Sequence, residues 1–377
     1  MPECSNPLVP CAMTGAVTCL AGFDGITVVI HGSSGCYYYP ATLLRAPLAG
    51  TFLNEQDVIF GSEERLREVL GGIPKSGQRI AVVTSCVTAI LGEDIRAMFS
   101  SPDIVLVDSP GFIGSFEKGY KKALEVLAPG IESGASGVNI DGISLMDPFC
   151  RGNVRELTRL LALAGLAPGT VLCLDSLQKI GSCSPYTITA DGDLASGIGA
   201  NLGCVLGLDA VRSTFRRIGD AIGGSDPSPV LKEADTEEER LIQACDKFLR
   251  RFDPPHATVF AGHSYAGFAA DALKKYLDAE IVCIGSRTEI VGRHGHGFPC
   301  LYTPGSRDIR ELIRKHDPDL VVGSSFEREV AGPVAFVGIT PPLRDRVRLA
   351  TKPLAGTSGT LLFMEDVINA CIDHQAR

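Results

Sequence analysis

No apolar run in this 377-residue chain reaches the roughly 20 residues that a helix needs to span a bilayer. Its first residues, MPECSNPLVPC, lack the basic start and apolar stretch of a secretory leader. A cytoplasmic location is expected, with no membrane partner. Lys/Arg runs are also missing and the net charge is −9, which leaves no basic field to follow a phosphate backbone and makes nucleic acid an unexpected partner. The sequence holds no paired C-x2-C unit, the usual frame of a structural zinc site. No glycine-rich loop ends in Gly-Lys-Ser/Thr, so a Walker A phosphate cradle is absent.

The composition is that of a globular protein, and the length suggests two or three domains. Short Val/Ile-rich runs recur: ITVVI at 26–30, RIAVVTS at 79–85, DIVLVDS at 103–109, TVLCLD at 170–175, ATVFAGH at 257–263, EIVCIG at 280–285 and DLVVGSS at 319–325. Helical patterns separate them. The pattern at 63–72 stops at Gly71 and Gly72; the pattern at 116–129 ends at Pro129; a third opens with Asn153 as the expected N-cap. Continuous apolar strands alternating with helices imply parallel sheets covered on both faces, hence an α/β fold. Boundaries are expected in the Gly/Ser-rich stretch at 133–139 and the polar stretch at 223–240, giving α/β units at 1–138, 139–232 and 233–377.

Thirteen cysteines form an odd set in a chain with no export signal, which argues against a disulfide framework. The ordinary reading of each is a small buried hydrophobe, and Cys173, Cys204, Cys245, Cys283 and Cys371 fit it. Cys11, Cys36 and Cys86 stand apart. Cys11 lies in the irregular segment PLVPCAMTGAV, Cys36 in the glycine loop after a strand (VVIHGSSGCYYYP), and Cys86 at the end of the next strand. Ligands of open α/β sheets collect beyond the carboxyl ends of strands. Gly32 and Gly35 allow backbone to approach a bulky group, and a helix starting at Cys86 favours a thiolate there. Position alone leaves a metal site and buried thiols both open.

The surrounding words resemble the component 1 proteins of nitrogenase and nitrogenase-like reductases. The resemblance rests on CAMTGA around Cys11, HGSSGC around Cys36, DVIFGSEERL at 57–66 and the C-x4-LGEDI word at 86–95, in the family's order. It covers residues 4 to about 96 closely and the rest in outline, including DPDLVVGSSFERE at 317–329. It implies three Rossmann-like domains with parallel sheets. It further implies that Cys11, Cys36 and Cys86 ligate an iron–sulfur cluster, 4Fe–4S or an 8Fe–7S P-cluster, at an interface with a second component 1-type chain, identical or different. Cys4 is a candidate extra ligand. Single electrons would arrive from a dimeric iron–sulfur ATPase, under anaerobic conditions.

In the family a cysteine of the second domain and a histidine of the last anchor the catalytic cofactor of nitrogenase. The matching stretches here, YTITADGDLASGIG at 186–199 and RVRLATKPLAGTSGTLLF at 346–363, contain neither. The resemblance therefore implies an ATP-dependent reductase of another small molecule, most plausibly a tetrapyrrole, rather than dinitrogen reduction. Its alternatives are a scaffold for metallocluster assembly and a redox-sensing iron–sulfur protein. Cavity candidates are Asp191, Asp193 and His263, with His294, His296 and Cys300 as a further group of metal-ligand types.

Overall fold

The structure is a computed structural model that describes residues 8–44, 46–74, 78–98, 101–128, 136–288, 297–344, 347 and 349–375. Cys4, Pro129, His294, His296 and the first part of the stretch at 133–139 lie outside the described residues. Among those described, thirteen strands form three sheets in which every paired strand is parallel.

The first sheet contains β1 (Ile26–His31), β2 (Leu48–Gly50), β3 (Arg79–Thr84) and β4 (Ile104–Val107), in the order β2-β1-β3-β4. The second contains β5 (Val138–Asp141), β6 (Pro168–Val171), β7 (Tyr186–Thr189) and β8 (Ala200–Cys204), ordered β6-β5-β7-β8. The third contains β9 (His256–Ala261), β10 (Glu280–Ser286), β11 (Cys300–Tyr302), β12 (Leu320–Gly323) and β13 (Ala335–Gly338), ordered β11-β10-β9-β12-β13. Each order reverses direction once, at β1/β3, β5/β7 and β9/β12. Such switch points open a crevice beyond the strand ends. We propose that the three sheets mark three units divided near residues 138 and 232.

The α/β expectation is met, with local corrections. The run at 170–175 is not one strand: β6 stops at Val171, and Cys173 turns the chain with φ +64°. Asn153 does not cap a helix, which begins earlier at Cys150 and runs to Leu163. Instead the Asn153 side chain accepts from the Leu354 and Ala355 amides at 2.8 and 3.0 Å and anchors the chain entering the last helix, Gly356–Gln375. The polar stretch from Ser228 onward belongs to a 22-residue helix ending at Leu249. No helix among the described residues is long and apolar enough to cross a membrane.

Helices Ala12–Ala21 and Phe116–Leu127 pack together at backbone distance. A Cβ on Gly15 would stand 1.9 Å from the Phe116 carbonyl oxygen, and one on Gly119 would stand 1.8 Å from that of Ala12. These two glycines are reciprocal, so neither helix can slide past the other. Gly119→Ala is expected to destabilise the chain by about 1–3 kcal/mol through overpacking, whereas Gly71→Ala, with open space around the added carbon, should be neutral or gain up to about 1 kcal/mol of helix propensity. Denaturant unfolding followed by circular dichroism reads both; equal effects from the two substitutions would contradict the close contact.

Candidate functional site

The loops after β1 and β3 flank the switch point of the first sheet, and they carry Cys36 and Cys86. Cys36 sits in the first turn of the helix Ser34–Leu44, where the Ser33 hydroxyl lies 3.6 Å from its sulfur. Cys86 opens the short helix Cys86–Leu91. Cys11 stands just before Ala12–Ala21 in extended conformation and bridges to Ser115, just before Phe116–Leu127. All three cysteines are half-buried.

A Cβ on Gly111 would lie 3.1 Å from Cys11 Sγ and 3.2 Å from Cys86 Sγ, so the two sulfurs are no farther apart than the sum of those distances. Cys36 stands across Gly32 from Ser85: a Cβ on Gly32 would meet Ser85 Oγ at 2.2 Å and Cys36 Cβ at 3.8 Å. Cys11 also acts on Tyr39, one turn after Cys36; burial and this neighbour push the phenol above its ordinary value. Among the described residues no three His, Cys, Asp or Glu side chains gather tightly enough to hold one metal ion. Cys11 and Cys86 instead border a shared space beside Gly111, while Cys36 stands beside Gly32 in the neighbouring loop, an arrangement in which each could bind a different iron of a multi-iron cluster.

The other cysteines behave as the ordinary reading requires. Burial pushes Cys150 and Cys371 up to about 12 and Cys245 and Cys283 up to about 11, so they remain thiols. Cys204 is half-buried and raised to about 11 in the same way. Cys173, fully buried, lies 3.4 Å from Cys19 Sγ and 2.7 Å from the Tyr120 hydroxyl.

Behind the cysteine loops lies a buried polar chain. His31, the last residue of β1, is wholly buried, with Nδ1 3.2 Å from Thr51 Oγ1 and Nε2 3.0 Å from Ser62 Oγ. The Ser62 hydroxyl donates to Glu93 Oε2, and its amide donates to Glu93 Oε1 at 2.6 Å. The His31 carbonyl accepts from the Ser85 amide at 3.0 Å. The words HGSSGC, GSEERL and LGEDI are thus joined through His31, Ser62 and Glu93.

Around the cysteines the surface is apolar. Tyr38, Phe52, Ile90 and Phe112 are exposed, and at the end of the helix Glu55–Phe60 Ile59 and Phe60 reach 71% and 86% exposure. Exposed apolar clusters of this kind mark contact surfaces.

The second and third sheets turn their crevices toward a cavity of about 110 Å³. Its wall includes Asp147 after β5, Asp191 and Asp193 after β7, Gly262 after β9 and Arg287 after β10. The first unit contributes Phe116 and Glu117. Burial raises the carboxyls of Asp191, Asp193 and Glu117 above their ordinary range. Asp191 accepts from the Asp193 amide at 3.0 Å, and both Asp193 oxygens accept from the Ser264 amide at 3.2 Å. Tyr265 donates to Asp147 at 2.8 Å. Arg287 pairs with the buried Glu327, leaving Nη1 without a partner among the described residues.

Asp191 and Asp193 thus stand in the cavity, as expected. His263 does not line it; it opens the helix His263–Leu277 and faces a neighbouring cleft with Cys204, Asp271 and Lys275. Cys300 begins β11 near Cys283. Glu117, Asp147, Tyr265 and Arg287 escaped the sequence reading, although the strand-end rule applied to Cys36 and Cys86 also applies to Arg287, which follows β10.

The profile of the family described as nitrogenase component 1 type oxidoreductase matches residues 11–192 and 195–372. The nitrogenase molybdenum-iron protein beta chain of Frankia alni is 31% identical, with 99% of this chain and 83% of the relative aligned. The nitrogenase iron-molybdenum cofactor biosynthesis protein NifE of Clostridium pasteurianum is 24% identical over 95% of this chain and 86% of the relative. A solved structure titled nitrogenase Cp1 at pH 6.5 superposes with a TM-score of 0.82 at 17% identity, covering 98% of this chain and 93% of the other. The two folds are alike.

The buried imidazole sets a pH dependence. Burial pushes His31 from 6.5 down to about 4, against the pull of the Glu93 and Asp57 carboxylates. The unfolded chain then takes up a proton at a higher pH than the folded one, so stability is full above 6.5 and falls as pH drops toward about 4, by on the order of 3 kcal/mol. Denaturant midpoints measured from pH 7.5 to 4.5 should show this fall in wild type and a shallower one in His31→Gln; parallel curves would contradict it.

Proposed function

Because the chain belongs to the nitrogenase component 1 type oxidoreductase family, we propose that it is the catalytic component of an ATP-dependent reductase. The observation that carries the reading is the convergence of Cys11 Sγ and Cys86 Sγ on the bare face of Gly111. Thiolates are the donors an iron–sulfur cluster takes, and the missing side chain at Gly111 leaves room beside them, so the residues fit the group. Cys11, Cys36 and Cys86 would hold it. The cluster, 4Fe–4S or 8Fe–7S, would supply a store for single electrons.

Three thiolates on one chain leave a cluster open on its outer side, and Tyr38, Phe52, Ile90 and Phe112 provide an apolar surface for a second component 1-type chain to close it. Whether that chain is a second copy or a relative, the same surface serves. Ile59 and Phe60, exposed nearby, suit the docking of the iron–sulfur ATPase that delivers electrons. The reading is that of an anaerobic, cytoplasmic reductase.

In the cavity, Asp191 and Asp193 occupy the stretch where the family's cofactor-anchoring cysteine is missing. Burial raises both carboxyls, and a carboxyl in its protonated form can give a proton to a reduced atom. Each two-electron reduction of a double bond takes two protons, and two such carboxyls stand side by side. Leu8, Phe116, Met146 and Leu194 give the same cavity an apolar wall. A tetrapyrrole suits this mixture: a flat apolar ring lies against the wall while ring N–H groups donate to the carbonyl oxygens of the carboxyls.

The likeness to NifE and the missing cofactor ligands favour one second reading, a scaffold on which a metallocluster is assembled. Turnover separates the two.

Anaerobically purified wild-type protein should be brown, contain several irons per dimer and reduce candidate tetrapyrroles when supplied with the ATPase, ATP and reductant. Cys36→Ala should lose most of the iron and at least about tenfold in turnover. Intact transfer of the cluster to an acceptor protein without turnover would favour the scaffold. A colourless, iron-free protein matched by its Cys36→Ala variant would sink both readings.

A further inference from the structure

The polar chain behind the cysteines can be followed proton by proton. Ser62 has one hydroxyl proton, and its closest acceptor is Glu93 Oε2. His31 Nε2, 3.0 Å from the same hydroxyl, must then be the donor to it. With Nε2 carrying the proton of a neutral ring, Nδ1 accepts from the Thr51 hydroxyl at 3.2 Å. Thr51 Oγ1 in turn accepts from the Gly32 amide at 2.9 Å. The Thr51 hydroxyl also lies 3.3 Å from the Gly32 carbonyl; with its proton on His31 Nδ1, the nearer acceptor, the bonds run one way, from the Gly32 amide through Thr51, His31 and Ser62 to the Glu93 carboxylate. Aligned hydrogen bonds in a buried setting strengthen one another.

The two ends of this chain lie in the two cysteine loops. Gly32 starts the loop that reaches Cys36, and Glu93 follows the helix that Cys86 opens. Midway, the His31 carbonyl holds the Ser85 amide, and a Cβ on Gly32 would collide with Ser85 Oγ at 2.2 Å. The loops therefore touch, held also by the pairing of β1 with β3 as far as His31 and Thr84 and by the Thr88 hydroxyl donating to the His31 carbonyl at 3.4 Å; the chain adds the link that reaches Glu93. Ser62 also directly follows Gly61, whose φ of +101° turns the backbone out of the helix bearing Ile59 and Phe60.

We propose that His31, Ser62 and Glu93 are positioning residues for the cluster: they set the spacing of the Cys36 and Cys86 thiolates and fix a carboxylate behind them. This rests on the cluster reading above. Metal ligands are oriented by hydrogen-bonded partners one shell out, whose loss weakens the site about as much as an altered ligand does. Removing the Ser62 hydroxyl interrupts the chain at its centre. Replacing Glu93 with Gln keeps one acceptor oxygen, for the Ser62 amide, and puts an NH2 where the second carboxylate oxygen stood, while removing the charge; Ser62→Ala removes the hydroxyl and keeps the charge, so the pair tells the hydrogen bond from the charge.

The test compares anaerobic wild-type protein, Ser62→Ala, Glu93→Gln and Leu157→Ala, the last a core substitution in the second unit that lowers stability without touching the chain. Iron per chain, the midpoint potential followed by electron paramagnetic resonance, and the rate of iron release to bathophenanthroline are measured. Ser62→Ala should release iron about tenfold faster than wild type and change the resonance spectrum. Glu93→Gln should hold iron nearly as wild type does but with a more positive midpoint. Leu157→Ala should leave spectrum and potential unchanged. Wild-type behaviour in both chain variants, or the same spectral change in Leu157→Ala, overturns the proposal while the cluster reading stands. A wild-type protein without iron overturns the cluster reading and the proposal with it. Should Ser62→Ala fail to fold, the midpoint of Glu93→Gln decides alone.

Discussion

In a parallel sheet covered on both faces, polar side chains can gather freely only beyond the ends of the strands, because every other position is packed or hydrogen-bonded. The architecture follows from that constraint. The first sheet directs its switch point to the surface and places cysteines there. The second and third direct theirs inward and place carboxyls there. One geometric rule, applied to three sheets, separates a rim of thiols from a chamber of acids.

The distribution of charge and sulfur explains why the sequence was readable in some places and not in others. The strands β1, β3, β9, β10 and β12 announced themselves as apolar runs because each is largely buried on both faces, and β4, half-buried except at Val107, did so by its unbroken Ile-Val-Leu-Val. The second sheet was nearly silent: β5 reads VNID and β7 reads YTIT, short segments with polar residues buried within them. Asn139 shows why. Its side chain is wholly buried, donating to the Ser184 carbonyl and accepting from the Thr170 and Ser184 amides. A polar residue that is satisfied by tertiary neighbours looks, in sequence, like a loop.

The same limit applied to Asn153 and to the cavity. Asn153 carried a local signal for a helix start, but its amide oxygen serves a segment two hundred residues away. Glu117 of the first unit, Asp147 of the second and Arg287 of the third meet only after folding. The cysteines were legible because their neighbours form recognisable words, and the structure gives those words a physical cause. His31, Ser62 and Glu93 recur in them because each completes a bond that the others begin.

The reciprocal contact of Gly15 and Gly119 has a further consequence. Cys11 stands at the start of one of these helices and Glu117 in the first turn of the other, so backbone touching backbone fixes the span from the rim of thiols to the chamber of acids. Electron tunnelling falls off exponentially with distance. A pair of glycines with no chemistry of their own therefore sets the gap that any electron passing from rim to chamber must cross.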